Sequence, residues 1–317
     1  MKVLLTGGTG FIGKPLLRAL NAAGHKVTLA VRSGTSEPAE CACLFRYPGL
    51  EFNVDWMPSL ACVDVVVHVA GCAHVLASEG DAGLSLFHKI NIEGAVSLAR
   101  QAVTCGVKRF IFVSSIKAMG ESSEKGQPFC AAGKLLGSDP YGLSKKLAEN
   151  ELVKLAAESA MELVIIRPVL VYGPGVGANF LKMMQWVDRG IPLPLGAVQN
   201  KRSLVAVDNL VDLLLTCIDH PAAANRVFLL SDGEDISTAE LLRRVAGTMG
   251  KTSRLVSVPV FFLRLVTSLT GRNALFQRLC GSLQVDMRET CEVLKWQPPV
   301  SVDAALAQTV NFYRENR

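Results

Sequence analysis

Thr6-Gly7-Gly8-Thr9-Gly10-Phe11-Ile12-Gly13 is the stretch on which the fold turns. It follows a short apolar run, Val3–Thr6, and opens a helical pattern over Pro15–Ala23. Each glycine has a steric task. Gly7 allows a tight turn, Gly10 lets the backbone approach a pyrophosphate, and Gly13 lets the helix lie close to the strand. The helix N-terminus then offers unpaired N–H groups and the positive end of its dipole to an anion. Glycines also serve plain turns. The strand before and the helix after are what make this a dinucleotide loop.

Outward from the loop, short Val/Ile-rich runs alternate with helical patterns. Lys26–Val31, Val63–Val69, Phe110–Ser114 and Leu163–Arg167 are continuously apolar, as strands covered on both faces are. Leu84–Cys105 and Tyr141–Glu158 are helical between them; Ser33–Leu60 is too irregular to assign. After Pro168 the pattern changes. Val171–Arg202 is rich in Gly and Pro with one helix, Asn179–Asp188. Ser203–Asp232 returns to sheet-type material, with a helix at Asn209–Ile218 and a strand at Val227–Ser231. Beyond Ile236 the helices Thr238–Gly247, Val260–Leu269 and Val302–Arg314 follow. The prediction is an α/β fold: a Rossmann-type doubly wound parallel sheet over residues 1–170 and 203–232, and a smaller, mainly helical substrate-binding lobe from 171–202 and 233–317.

Composition narrows the class. Half of the 317 residues are hydrophobic and 19% are charged, as in a globular protein. The net charge of +5 is spread along the chain without a basic block, which argues against nucleic acid. Nine cysteines without a C-x-x-C pair read as free thiols in a reducing compartment, and no metal site is expected. No apolar run reaches the ~18–20 residues of a membrane span, and no signal peptide is evident, so a cytoplasmic location is expected. The nearest apolar run, Val258–Leu269, holds Arg264. It is expected to be a core-facing helix, with a membrane-surface helix as the alternative.

Pro140-Tyr141-Gly142-Leu143-Ser144-Lys145 carries the chemistry. Tyr141 and Lys145 share one helix face, and Asp139 is placed to cap that helix with Pro140 in its first turn. The ammonium is expected to lower the tyrosine pKa and make the phenol an acid or base near neutrality. Upstream, Ser114-Ser115 ends a strand on the carboxyl edge where ligands bind in such sheets. At the end of the second predicted strand stand Val31, Arg32 and Ser33, with no carboxylate for a ribose 2′-hydroxyl. Arg32 could take a 2′-phosphate, so NADP(H) is favoured and NAD(H) is the alternative.

Together these residues resemble the extended short-chain dehydrogenase/reductases, in particular the NAD-dependent epimerase/dehydratase family, over nearly the whole chain. The glycine loop matches. His68-Val69-Ala70-Gly71 matches the family's segment along the cofactor, and Asn91 its helix asparagine. Ser115, Tyr141 and Lys145 match its catalytic Ser/Thr, Tyr and Lys. Arg167-Pro168 is similar to its strand-to-substrate-loop junction. Asn179 and Arg202 resemble residues that bind the substrate diphosphate. The resemblance implies cofactor binding by Gly7, Gly10, Phe11, Ile12, Gly13, Arg32, Ala70, Asn91, Ser114, Tyr141, Lys145 and Pro168. It implies UDP-sugar binding by His74, Ser115, Asn179 and Arg202, and a homodimer paired through Leu84–Cys105 and Tyr141–Glu158. Ile116 and Lys117 stand where dehydratases of the family carry Asp-Glu, which argues against dehydration.

Ser114–Lys117, His74-Val75 and Gly281–Asp286 look closest to bacterial 4-ketoreductases that form UDP-N-acetylquinovosamine, and to UDP-glucose 4-epimerase-like proteins. The leading expectation is therefore reduction of the C4 keto group of a UDP-linked 6-deoxy, N-acetyl hexose in surface polysaccharide biosynthesis. A UDP-sugar 4-epimerase with bound NAD is the alternative. A non-catalytic dinucleotide sensor or scaffold is the rival of another class, and the intact Ser115, Tyr141 and Lys145 argue against it.

Overall fold

The computed structural model describes residues 1–35, 43–73, 80–124 and 126–317. In chain order the first body holds β1 (Lys2–Thr6), α1 (Gly13–Ala22), β2 (Lys26–Arg32), β3 (Cys43–Tyr47), α2 (Met57–Leu60), β4 (Val65–His68), α3 (Gly80–Phe87), α4 (Gly94–Thr104), β5 (Arg109–Val113), α5 (Pro140–Ala157) and β6 (Glu162–Pro168). The strands form where the sequence is continuously apolar. Every residue of β4 and β5 is buried, because helices cover both sheet faces. With β9 (Arg226–Leu230) they make a seven-stranded sheet of order β3-β2-β1-β4-β5-β6-β9. All its pairings are parallel. The order reverses between β1 and β4, and that crevice is where such sheets bind ligands.

The predicted helix Leu84–Cys105 is α3 and α4 joined by a π turn, His88–Glu93, with buried Asn91 inside it. Such an insertion re-aims side chains locally and is frequent at functional sites. The unassigned connection holds β3 and α2. As a half-exposed edge strand, β3 lacks the apolar run that betrays a central strand.

The second body begins with β7 (Leu170–Tyr172) and α6 (Ala178–Asp188) and continues with β8 (Arg202–Ala206), after which α7 (Val207–Asp219) returns to the core of the main sheet. After β9 come β10 (Asp235–Ile236), α8 (Thr238–Thr248), α9 (Val260–Leu269), α10 (Asn273–Cys280), α11 (Arg288–Leu294) and α12 (Val302–Glu315). Strands β10, β8 and β7 form a separate three-stranded sheet, so β8 leaves the main sheet while α7 packs on α1. A core of Tyr172, Phe180, Met184, Leu242 and Leu306 fills this body. Leu283, Val285, Leu294 and Trp296 return to pack on the main sheet. Asp232 fastens the two bodies: it accepts from Ala206 N and Asn209 Nδ2, each at 2.7 Å, and from Tyr172 OH at 2.8 Å.

One expectation is met only in part. Helix α9 has the predicted bounds and turns one side to the core, but none of its residues is fully buried. Only Val260 and Leu263 pack partly on the second core. The run is apolar on nearly every side, so its hydrophobicity could not indicate which side meets protein.

Candidate active site

Two loops press together at the β1/β4 crevice. Gly7 has φ +74°, and a Cβ there would stand 2.6 Å from Ala70 N; at Gly13 it would meet Gly7 O at 2.1 Å. At Gly10 only Gly7 O lies within 4 Å, which leaves that side open. Helix α1 has no side-chain cap and no acid in its first turn, so among the described residues no side chain competes for its N-terminal donors around Phe11, Ile12 and Gly13. These residues fit the pyrophosphate of a dinucleotide. Thr6 Oγ1 accepts from Ala70 N at 3.3 Å and lies 2.8 Å from His68 Nδ1, tying the two loops together from beneath. Burial and the Lys145 charge push the His68 imidazole down to about 3, so it stays neutral there.

Asn91 uses its whole amide on structure. Its Oδ1 accepts from Cys72 N at 2.8 Å, and its Nδ2 donates to Cys72 O and to Ser144 Oγ, each at 2.9 Å. It thereby holds the segment after β4 against α5. A Cβ on Gly71 would lie 3.1 Å from Asn91 Oδ1 and 3.4 Å from Lys145 Nζ, so these groups share one small space. The lysine donates to Val113 O at 2.9 Å and sits 4.6 Å from the centre of the Phe112 ring.

Tyr141 and Ser115 meet because two backbones touch. Asp139 caps α5, its Oδ1 accepting from Gly142 N at 2.7 Å, and its other oxygen binds Lys117 Nζ. A Cβ on Gly142 would stand 2.3 Å from Lys117 O. Only glycine lets the first turn of α5 lie against the 3-10 turn Ile116–Ala118 that follows Ser115. The Ser115 hydroxyl accepts from Lys117 N at 3.2 Å and lies near enough to the Tyr141 phenol to lower its pKa.

The expected electrostatics need correction. Burial pushes the Tyr141 phenol up to about 12, and the Ser115 hydroxyl only partly offsets this. Lys145 does not lower it: its ammonium points at Val113 O, and burial pulls its own pKa down to about 8 against the opposing pull of Glu149. Burial thus favours the neutral phenol of Tyr141.

Ser114 stands differently from the expectation. Its hydroxyl is buried and donates to Glu149 Oε1, which leaves no side-chain donor for a cofactor. Glu149 in turn holds Arg167 by three hydrogen bonds of 2.7–3.1 Å, at side-chain exposures of 2% and 5%. Arg167 also donates to Ala131 O at 3.1 Å. This buried network was missed. Its signals were present: Glu149 continues the four-residue spacing of Tyr141 and Lys145, and Arg167 is a charge in an apolar strand.

Arg32 ends β2, exposed. Pro168 ends β6 and Ala70 follows β4, both on the carboxyl edge of the sheet. Asn179 is exposed in the first turn of α6. Arg202 begins β8, half-buried, and donates to Gly281 O at 3.1 Å. Burial lowers its pKa, and it makes no ion pair with a described carboxylate. The segment 282–286 runs from Arg202 to the loop before α5, through Ser203 N to Leu283 O at 2.8 Å and Phe129 N to Gln284 O at 2.9 Å. His74 lies outside the described residues.

Residues 3–230 match the NAD dependent epimerase/dehydratase family. The chain belongs to that family. A UDP-glucose 4-epimerase of Vibrio cholerae is 46% identical over 98% of this chain and 95% of its own length. The fold is shared with the UDP-glucose 4-epimerase of Thermotoga maritima solved with UDP-glucose, at TM-score 0.80 and 24% identity over 100% of this chain and 99% of that one. It is shared equally with the UDP-glucuronic acid 4-epimerase of Bacillus cereus solved with NAD, at TM-score 0.80 and 18% identity over 99% and 97%. As a family member the chain is an NAD(P)-dependent enzyme of the epimerase/dehydratase type.

Proposed function

We propose that this enzyme inverts the C4 configuration of a UDP-hexose with a tightly held NAD, which places the epimerase reading ahead of net reduction. The observation that carries it is the Ser115–Tyr141–Lys145 group, assembled at the crevice of a chain 46% identical to a UDP-glucose 4-epimerase. When bound, the nicotinamide accepts and returns a hydride. Ser115 would orient the C4 oxygen, and Tyr141, as phenolate beside an oxidised nicotinamide whose positive charge favours that form, would take the proton of this oxygen and return it. Lys145 lies beside Gly71 and Asn91, where it would hold the nicotinamide ribose. Ile116 and Lys117 supply no carboxylate for an elimination. Lys117 instead braces the α5 cap, which is against a dehydratase.

The test is the purified protein with UDP-glucose and UDP-N-acetylglucosamine and no added nucleotide. C4 inversion, followed by proton NMR, with NAD released on denaturation, is the expected result. A protein that carries no nucleotide, and instead consumes NADPH with a 4-keto UDP-sugar, overturns it in favour of the 4-ketoreductase. Arg32, with no carboxylate beside it in β2, favours that second reading.

Arg202 and Asn179 are proposed to bind the substrate diphosphate. A half-buried guanidinium without an anionic partner supports this. Arg202→Ala is expected to weaken UDP binding tenfold or more, since a charge-assisted hydrogen bond is worth about 1.5–3 kcal/mol. Calorimetry should show dinucleotide binding nearly unchanged, and equal loss of both ligands would refute the assignment.

The dimer is likewise proposed to pair through the helices of Leu84–Cys105 and Tyr141–Glu158, whose Leu84, Leu143, Leu147 and Val153 are exposed. Light scattering at micromolar concentration is expected to give twice the 34.0 kDa chain mass. A stable monomer would rule the pairing out.

A further inference from the structure

Helix α9 presents Phe261, Phe262, Leu265, Val266 and Leu269 to solvent, with relative exposures from 45% to 79%. At 3.6 residues per turn these lie opposite Val260, Leu263 and Thr267, the side turned toward the protein. The next helix, α10, packs beside α9 and adds exposed Leu275. Five large apolar side chains on one outward helix face form a contiguous patch, unlike the scattered single residues normal on a surface.

The charge along this stretch of the chain has one sign. Residues Leu241–Val285 contain seven Lys/Arg and no Asp or Glu, in a chain whose overall charge is only +5. Arg243, Arg244 and Lys251 are paired with carboxylates outside that stretch. Arg254, Arg264, Arg272 and Arg278 are exposed and make no ion pair with a described carboxylate. No described helix is long and apolar enough to cross a membrane, and α9 has ten residues, about 15 Å.

We propose that the α9–α10 hairpin docks on an anionic membrane surface, its apolar face entering the headgroup–acyl boundary and its arginines meeting lipid phosphates. Charge decides the occupant. A two-fold contact between copies would cover the apolar face and leave these arginines without an anionic partner. An anionic bilayer satisfies both the apolar face and the unpaired arginines. The docked hairpin would hold the Arg202 region near the membrane, because α10 ends at the Leu279 and Gly281 carbonyls that Asn200 and Arg202 bind.

The test is flotation of the full chain with vesicles of phosphatidylcholine alone or mixed with phosphatidylglycerol. Binding to the anionic vesicles is expected to be stronger by about tenfold or more and to fall with added salt. The double variant Phe261→Ser/Leu265→Ser and, separately, Arg264→Glu/Arg272→Glu should each lose most of this binding. Both should keep wild-type dinucleotide affinity and melting temperature, because the changed side chains leave the fold and the site untouched. Absence of flotation, or flotation indifferent to both variants, overturns the proposal. So does concentration-dependent self-association abolished by Phe261→Ser/Leu265→Ser without vesicle binding, which would make the patch a contact between copies.

Discussion

Tyr141→Phe is expected to lower kcat by about 10²–10⁴-fold, the usual contribution of a positioned general acid or base. The ring and its 6.2 Å contact with Phe87 remain, and only the hydroxyl is lost. Binding of dinucleotide and UDP-sugar should change little, so the loss falls on kcat rather than on the dissociation constants. The pH profile separates this residue from its neighbour. With Tyr141 pushed up to about 12 and Lys145 drawn down to about 8, an alkaline limb of kcat/KM near pH 8 belongs to the lysine. That limb should persist in the residual activity of Tyr141→Phe. Near-normal kcat in this variant, measured where hydride transfer limits the rate, would remove Tyr141 from the mechanism.

Glu149→Ala should destabilise the fold by about 3–5 kcal/mol, because it strands the Arg167 guanidinium in the interior. Thermal melting or urea unfolding measures it. Glu149→Gln keeps the shape and tests the electrostatic part. The Glu149 carboxylate raises the Lys145 pKa against the depressing effect of burial. Its removal should let that pKa fall below about 8 and move the alkaline limb to lower pH. An unmoved limb would reduce Glu149 to a structural role. The stability sign is the reverse of the activity sign. A lysine drawn from 10.5 to about 8 in the folded chain binds fewer protons there than when unfolded. Its contribution to stability therefore rises between those two pH values, where activity declines.

The main sheet was legible because burial on both faces writes each central strand as an unbroken apolar run, as in Val65–His68. Edge strand β3 and the short helices α10 and α11 were not, since half-exposed elements carry mixed patterns that fit several conformations. Tyr141, Lys145 and Ser115 could be picked out through their spacing and context. Their electrostatics could not, because desolvation depends on what covers a group, and here it outweighs the charge one helical turn away. The same holds for Ser114, whose partner Glu149 is distant in sequence. Sequence supplied the apolar character of Val260–Leu269 and left open which of its sides meets protein.

The close approach of Gly142 to Lys117 O has a consequence for change over generations. The spacing of Ser115 and Tyr141 is set by main chain against main chain, so side-chain substitutions around them leave it nearly constant. One methyl group at Gly142 would wedge the two apart. The turn at Ile116–Ala118 and the first turn of α5 therefore act as one fixed part, while Asn179 and Arg202 stand on separate elements whose change leaves that part untouched.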